Sequence, residues 1–186
     1  MANFWIQEGE WARGGNNSVK FGDLVKSFGR KYKGMWRVFG ISENGEIMIV
    51  SDECIGEVKL YGISGYWKGI DQLDQLCIDT VKSSKVAAVR SITGLDFHRA
   101  STRKESYALL KSHLFERDCW LANTYALNSA SYNEVGLEAV FGGVRLNLPL
   151  SIYGGTEYNR TLGVRAIVTL RKNVEFHKTK DGYWKI

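Results

Sequence analysis

Apolar and polar positions change their period along the chain, and the changes divide it. Met35 to Ile41 and Glu46 to Ser51 are two apolar, β-branched runs separated by Ser42-Glu43-Asn44-Gly45. Asn-Gly between such runs favours a hairpin, because both residues tolerate positive φ. From Tyr66 to Val81 the apolar residues Trp67, Ile70, Leu73, Leu76, Cys77 and Val81 recur at spacings of three and four, with Asp71, Gln72, Asp74, Gln75 and Asp79 between them. That spacing predicts an amphipathic helix with Cys77 on its apolar stripe, where a thiol acts as a small core side chain.

Val86 to Ser91 leads into Thr93-Gly94-Leu95-Asp96, whose threonine is the expected N-cap of a second helix running through the Lys104 to Lys111 region. Beyond His113 the expected strands are Cys119 to Thr124, Gly136 to Phe141, Val144 to Leu148 and Val164 to Leu170, with Pro149 at the end of one of them. Strands, then helices, then strands predict an α+β domain with two helices and several short, mostly antiparallel strands, rather than an alternating α/β sheet. The first residues carry turn chemistry at Trp11 to Ser18 and a mixed basic stretch from Lys26 to Lys33. We therefore expect an N-terminal arm over residues 1–34 and one domain over 35–186.

Composition narrows the class. A chain of 186 residues, 44% hydrophobic and 24% charged, with 20 glycines and a single proline, is globular and not a coiled coil or low-complexity tract. No apolar run reaches the ~18 residues that cross a bilayer, and the first ten residues lack a basic segment followed by an apolar one. The expectation is a soluble, unprocessed chain without membrane insertion. The net charge of +5 is spread along the sequence. Cys54, Cys77 and Cys119 are odd in number and form no CxxC pair, so a disulfide framework is not expected.

Cys119-Trp120-Leu121-Ala122-Asn123, Gly136-Leu137-Glu138-Ala139-Val140 and Leu162-Gly163-Val164-Arg165-Ala166-Ile167-Val168-Thr169-Leu170 carry a resemblance. Trp36-Arg37-Val38, Gly65-Tyr66, Cys77 and Arg90-Ser91 agree with it in order, so it covers roughly residues 35 to 174. The chain resembles a family of small proteins common in phages and prophages of Gram-positive bacteria. That family is similar in turn to the C-type-lectin-like fold of formylglycine-generating enzymes and phage receptor-binding proteins, which a Gly-aromatic-or-Val-Arg strand closes. Ala166 stands where a proline commonly follows that motif. The resemblance implies a C-type-lectin-like domain and a virion-associated structural or recognition protein such as a decoration, fibre or adhesion component.

Enzyme signatures are absent. His98, His113 and His177 form no HxxxH or HExxH pair, and the cysteines lack the close spacing that a formylglycine-generating activity needs. Neither EF-hand spacing nor the Pro-containing calcium motifs of lectins occur, the one proline being flanked as Leu148-Pro149-Leu150. The expectation is no enzyme, no metal and no cofactor.

Between the Trp-Leu-Ala and Gly-Val-Arg strands lie Tyr125, Asn128, Ser129, Ser131, Tyr132 and Asn133, then Tyr153, Thr156, Tyr158, Asn159 and Arg160. Tyrosine supplies rigid amphipathic area and serine and asparagine adaptable hydrogen bonds, the make-up of a recognition surface. Turn preference alone also selects Asn, Ser and Gly, but not so many tyrosines. Of these, Tyr125, Asn128, Ser131, Tyr132, Asn133, Tyr153, Tyr158, Asn159 and Arg160 are the candidate ligand- and partner-binding residues. Trp120, Arg145 and Arg165 read as structural, the tryptophan in the core and each arginine closing a strand against a carboxylate or carbonyls.

Phe4, Trp5 and Trp11 are the arm's candidate anchors for assembly with another virion protein. Lys26, Arg30, Lys31, Lys33 and Arg37, interleaved with Phe28, Tyr32 and Trp36, and then Arg99, Arg103 and Lys104, offer a phosphate-tracking surface, but acidic residues nearly balance them and no nucleic-acid motif is present. The expected partners are other virion proteins and a host surface glycan or protein, in an oligomeric assembly within the virion. An intracellular accessory protein that binds a host protein in the bacterial cytoplasm is the alternative, and an enzyme of the formylglycine-generating type a more distant one.

Overall fold

The computed structural model describes residues 19–26, 31–102, 117–130 and 132–186. It is a mixed α+β structure, mostly strands, with two helices and no closed barrel among the described residues. The expected hairpin is β2 (Trp36–Ile41) and β3 (Ile47–Ser51), paired antiparallel about a turn with Gly45 at φ +77°. In chain order there follow β4 (Gly56–Tyr61), α1 (Gly62–Thr80), β5 (Val86–Ser91) and α2 (Gly94–Thr102). Then come β6 (Cys119–Ser129), β7 (Tyr132–Phe141), β8 (Val144–Ile152), β9 (Thr156–Glu157), β10 (Asn159–Val164) and β11 (Ala166–Leu170). With β1 (Leu24–Val25), β12 (His177–Lys178) and β13 (Trp184–Lys185) they form two sheets, ordered β12-β13-β1-β2-β3-β11-β5 and β4-β10-β6-β7-β8-β9.

α1 lies against all six strands of the second sheet and against β5 of the first. The main core gathers Trp36, Val38 and Ile49 from one sheet, Leu73 and Cys77 from α1, and Trp120, Leu137 and Leu150 from the other. A second core on the opposite face of β2, β3 and β11 collects Phe39, Val50 and Ile167 with Ile92, Cys119, Leu121 and Val140. These three strands are thus apolar on both faces, the pattern of buried strands.

The two sheets meet at Gly163-Val164-Arg165. β10 ends at Val164 in one sheet and β11 begins at Ala166 in the other. Arg165, 1% exposed, donates to the carbonyls of Ser51 (3.0 Å) and Asp52 (2.6 Å), while Ala166 N–H reaches Ser51 Oγ at 3.2 Å. Gly163 pairs with Cys119, and a methyl there would overlap Cys54 Sγ. The closing arginine therefore meets carbonyls, while Arg145 meets a carboxylate, that of Glu138.

Three expectations change. The folded body begins by Val19 rather than at residue 35: Val19 and Val25 are fully buried, β1 pairs with both β2 and β13, and Trp184 Nε1 donates to Asp23 at 2.8 Å. Strands β4 and β10, whose alternating polar residues hid them, pair over their whole length, from Asn159↔Tyr61 to Val164↔Gly56. Pro149 lies inside β8, beside a register shift at Gly136.

The second helix does start as expected. Asp96 N–H donates to Thr93 Oγ1 (3.2 Å) and Thr93 N–H to Asp96 Oδ2 (2.9 Å), a reciprocal capping box. Its expected continuation through Lys104 to Lys111 lies outside the described residues.

Candidate functional site

Trp67 is the residue that periodicity misplaces, since it is 73% exposed. The buried stripe of α1 begins with glycines, Gly62, Gly65 and Gly69, and only then passes to Leu73 and Cys77. A Cβ on Gly69 would stand 3.0 Å from Leu137 Cδ2, and one on Gly65 3.1 Å from Leu60 Cβ. The first turns approach the sheet through backbone, so the indole faces solvent, edge-on to Tyr66 at 4.9 Å between ring centroids.

That helix N-terminus is capped from a distance. No side chain at Tyr61 caps it, and its first turn holds no acid. The carboxylate of Glu157, on β9, accepts Ile63 N–H at 3.2 Å and also the Tyr61 hydroxyl, whose pKa the bond raises. Gly62, at φ +51°, leaves the room that Glu157 occupies and donates its N–H to Tyr158 O at 3.1 Å. A negative group at this position also meets the positive end of the helix dipole.

From there the surface continues across strand ends. Asn159 pairs with Tyr61, and the Arg160 guanidinium lies 5.4 Å from the centre of the Tyr158 ring. Tyr153, 75% exposed in the turn between β8 and β9, donates its N–H to Asn133 O at 2.8 Å, which seats that turn beside the tip of the β6–β7 hairpin. In the hairpin Asn128 pairs with Asn133 and Ser129 with Tyr132, and exposed Leu127 pairs with Glu134. Glu134 accepts the Tyr125 hydroxyl on one oxygen (2.6 Å) and the Tyr132 hydroxyl on the other. Burial and then the carboxylate push the Tyr125 phenol up, and the Glu134 bond does the same at Tyr132, so both stay protonated donors.

The structure therefore brings together eight of the nine candidate binding residues: Tyr125, Asn128, Tyr132, Asn133, Tyr153, Tyr158, Asn159 and Arg160 share one end of the six-stranded sheet. Ser131 and the arm residues Phe4, Trp5 and Trp11 lie outside the described residues. Tyr61, Glu134 and Glu157 belong to the same region, and no sequence signal marks them. Nothing local pairs Glu157 with a helix so far away in the chain.

The basic stretch offers no stacking platform where it is described. Tyr32 and Trp36 are core residues, and Arg37 is buried in an ion pair with Asp52. Lys26, Lys31 and Lys33 remain at the surface.

Cys54 and Cys119, distant in the chain, pack into the same second core near Arg165. Burial pushes the Cys119 thiol up to about 12 against the pull of Arg165, and Cys54 also rises, so at neutral pH both are protonated, the form that neither attacks nor ligates. Cys77 is fully buried as expected. No group of three or more metal-ligating side chains occurs among the described residues, and no helix there is long and apolar enough to cross a membrane. Comparison with protein-family models, with curated proteins and with solved structures found no match to this chain.

Proposed function

We propose that this chain is a recognition protein of a phage particle, with a C-type-lectin-like domain whose aromatic end meets the partner and no catalytic role. The observation that carries the reading is the convergence of Tyr61, Tyr132, Tyr153 and Tyr158 at one sheet end, with Glu134 and Glu157 holding three tyrosine hydroxyls. Aromatic faces stack on sugar rings, and carboxylates and asparagines accept from sugar hydroxyls, so a host surface glycan fits this chemistry without a metal. The lectin-like assignment is supported by two helices among mostly antiparallel strands and by the Gly163-Val164-Arg165 stretch at the junction of the sheets. The arm residues Phe4, Trp5 and Trp11 dock the domain onto another virion protein.

Mass spectrometry of purified particles tests the location, with the chain expected in symmetric multiple copies. Calorimetric titration with host surface polysaccharide tests the site. Tyr132→Ala and Tyr153→Ala are expected to weaken binding roughly tenfold with unchanged thermal unfolding. Complete particles that lack the chain, together with capture of a host protein, would replace this reading by the intracellular one. Full binding by both variants would move the site elsewhere.

A further inference from the structure

Among the described residues the outer edge of β8 is open. From Val144 to Leu148 the strand pairs with β7 on one side, and among the described residues nothing pairs with it on the other, because β9 reaches only Ser151 and Ile152. Unpaired edges recruit further strands unless charge, shortness or proline blunts them. The other described edges carry such devices. β4 alternates Glu57 and Lys59 outward, β12 is two residues long, and β5 has its Ser91 N–H taken by Asp74. β8 has only Pro149, which ends the open stretch, and Arg145, which is turned to Glu138.

The same stretch carries an apolar strip. Phe141 pairs with Val144, Ala139 with Leu146 and Leu137 with Leu148, so these side chains share the face on which α1 lies. Past the helix the strip is uncovered: Phe141 is 51%, Val144 58% and Leu146 37% exposed. The two-residue turn Gly142-Gly143, both at positive φ, makes Phe141 and Val144 a hydrogen-bonded pair. By alternation, Val144, Leu146 and Leu148 turn their backbone groups to β7, while Arg145 and Asn147 turn theirs outward.

We propose that this edge binds the same edge of a second copy of the chain, antiparallel across a two-fold axis at Leu146, joining the two six-stranded sheets into one. The register is set by charge and by the backbone. Centred on Leu146, each outward N–H and C=O of Arg145 meets Asn147 of the second copy, and the reverse, while Val144 faces Leu148 and Leu146 faces itself. Centring on Arg145 sets Arg145 against Arg145, and centring on Asn147 sets Arg145 against Pro149, which has no N–H to donate. A closed two-fold contact uses the edge up and covers the strip in both copies. This interface is separate from the aromatic end and holds whatever ligand that end takes.

Sedimentation across a concentration series is expected to show a dimer. Leu146→Lys, which places two ammonium groups at the axis, is expected to weaken it at least about tenfold with an unchanged circular dichroism spectrum. Leu146→Cys is expected to give a disulfide-linked dimer under mild oxidation, since residues facing each other in a non-hydrogen-bonded pair stand within cross-linking reach; Trp67→Ala is expected to leave the dimer intact. A monomer at every concentration, or a dimer that ignores Leu146→Lys and does not cross-link through Leu146→Cys, overturns the proposal. So does slow amide exchange at Arg145 and Asn147 in a monomer, which would place another segment of the chain on the edge, or slow exchange gained only on adding another particle protein.

Discussion

The two sheets solve different problems with the same kind of strand. In the seven-stranded sheet β2, β3 and β11 are buried almost end to end, and their side chains feed two cores. In the six-stranded sheet β6 is buried for its first three residues and exposed beyond Leu127, while β8 is exposed over its first four. Each sheet carries register shifts, between Val38 and Gly40 and between Thr169 and Leu170 in the first, and between Trp120 and Thr124 and between Val135 and Gly136 in the second. The first sheet is a scaffold. The second carries tyrosine hydroxyls at its exposed ends and, among the described residues, an open edge, and it is held by α1, by the two cores it shares with the first sheet and by the junction at Arg165.

The junction is where that difference is most easily broken. Arg165→Met keeps the apolar bulk and leaves the carbonyls of Ser51 and Asp52 buried without their donor. Hydrogen bonds to charged groups contribute about 1.5 to 3 kcal/mol each, so a loss of about 3 kcal/mol or more is expected in urea unfolding. A loss below about 1 kcal/mol would mean that the sheets hold together without it. Arg165→Lys is expected to recover only part, because a single ammonium reproduces the guanidinium fork poorly.

A smaller effect tests the more exposed sheet. Gly136 lies under the Tyr125 ring, where a methyl would overlap Leu148 O. Gly136→Ala is expected to cost about 2 kcal/mol, the scale of overpacking, and to weaken binding at the aromatic end by shifting Tyr125 away from Glu134. Normal stability with normal Tyr125 chemical shifts would show that the bulge absorbs the methyl.

What could be read in advance follows the same division. The hairpin at Asn44-Gly45, the body of α1, buried Cys77 and the Thr93 cap are local or strictly periodic signals, and the structure has them where the sequence puts them. β4 and β10 are half polar, and a Gly-Glu-Val-Lys-Leu-Tyr stretch becomes a strand only because Asn159 to Val164 lies beside it. Trp67 was misplaced because periodicity treats glycine as neutral, whereas here glycines form the contact face. The tyrosines at the aromatic end were legible as a set. Their carboxylates were not, since the Glu157 cap and the Glu134 bridge depend on strand register and on a distant helix end.

The smallest expected effect tests what ties the sheets together outside the junction. Arg90, on the edge strand of the seven-stranded sheet, donates to both oxygens of Asp96, at 2.5 and 2.9 Å. Asp96 lies in the first turn of α2, whose Gly94 packs on Glu138 and Arg145 of the other sheet and donates to Asn123 Oδ1 at 2.5 Å. Burial alone would raise the Asp96 carboxyl, but the Arg90 charge and hydrogen bonds from Arg90 and Thr93 outweigh it, so its pKa is lowered. A carboxyl lowered in the folded state adds stability above its unfolded value, about 3.9, and loses that contribution as pH falls through the folded value. Asp96→Asn is therefore expected to cost about 1 kcal/mol at pH 7, the usual worth of a cap, and less at pH 3, where the wild type has begun to lose the same contribution. Urea midpoints of the two proteins should converge as the solution is acidified. A gap that stays constant from pH 7 to strong acid would mean that Asp96 acts by shape and not by charge, and that its ion pair adds nothing to the tie between the sheets.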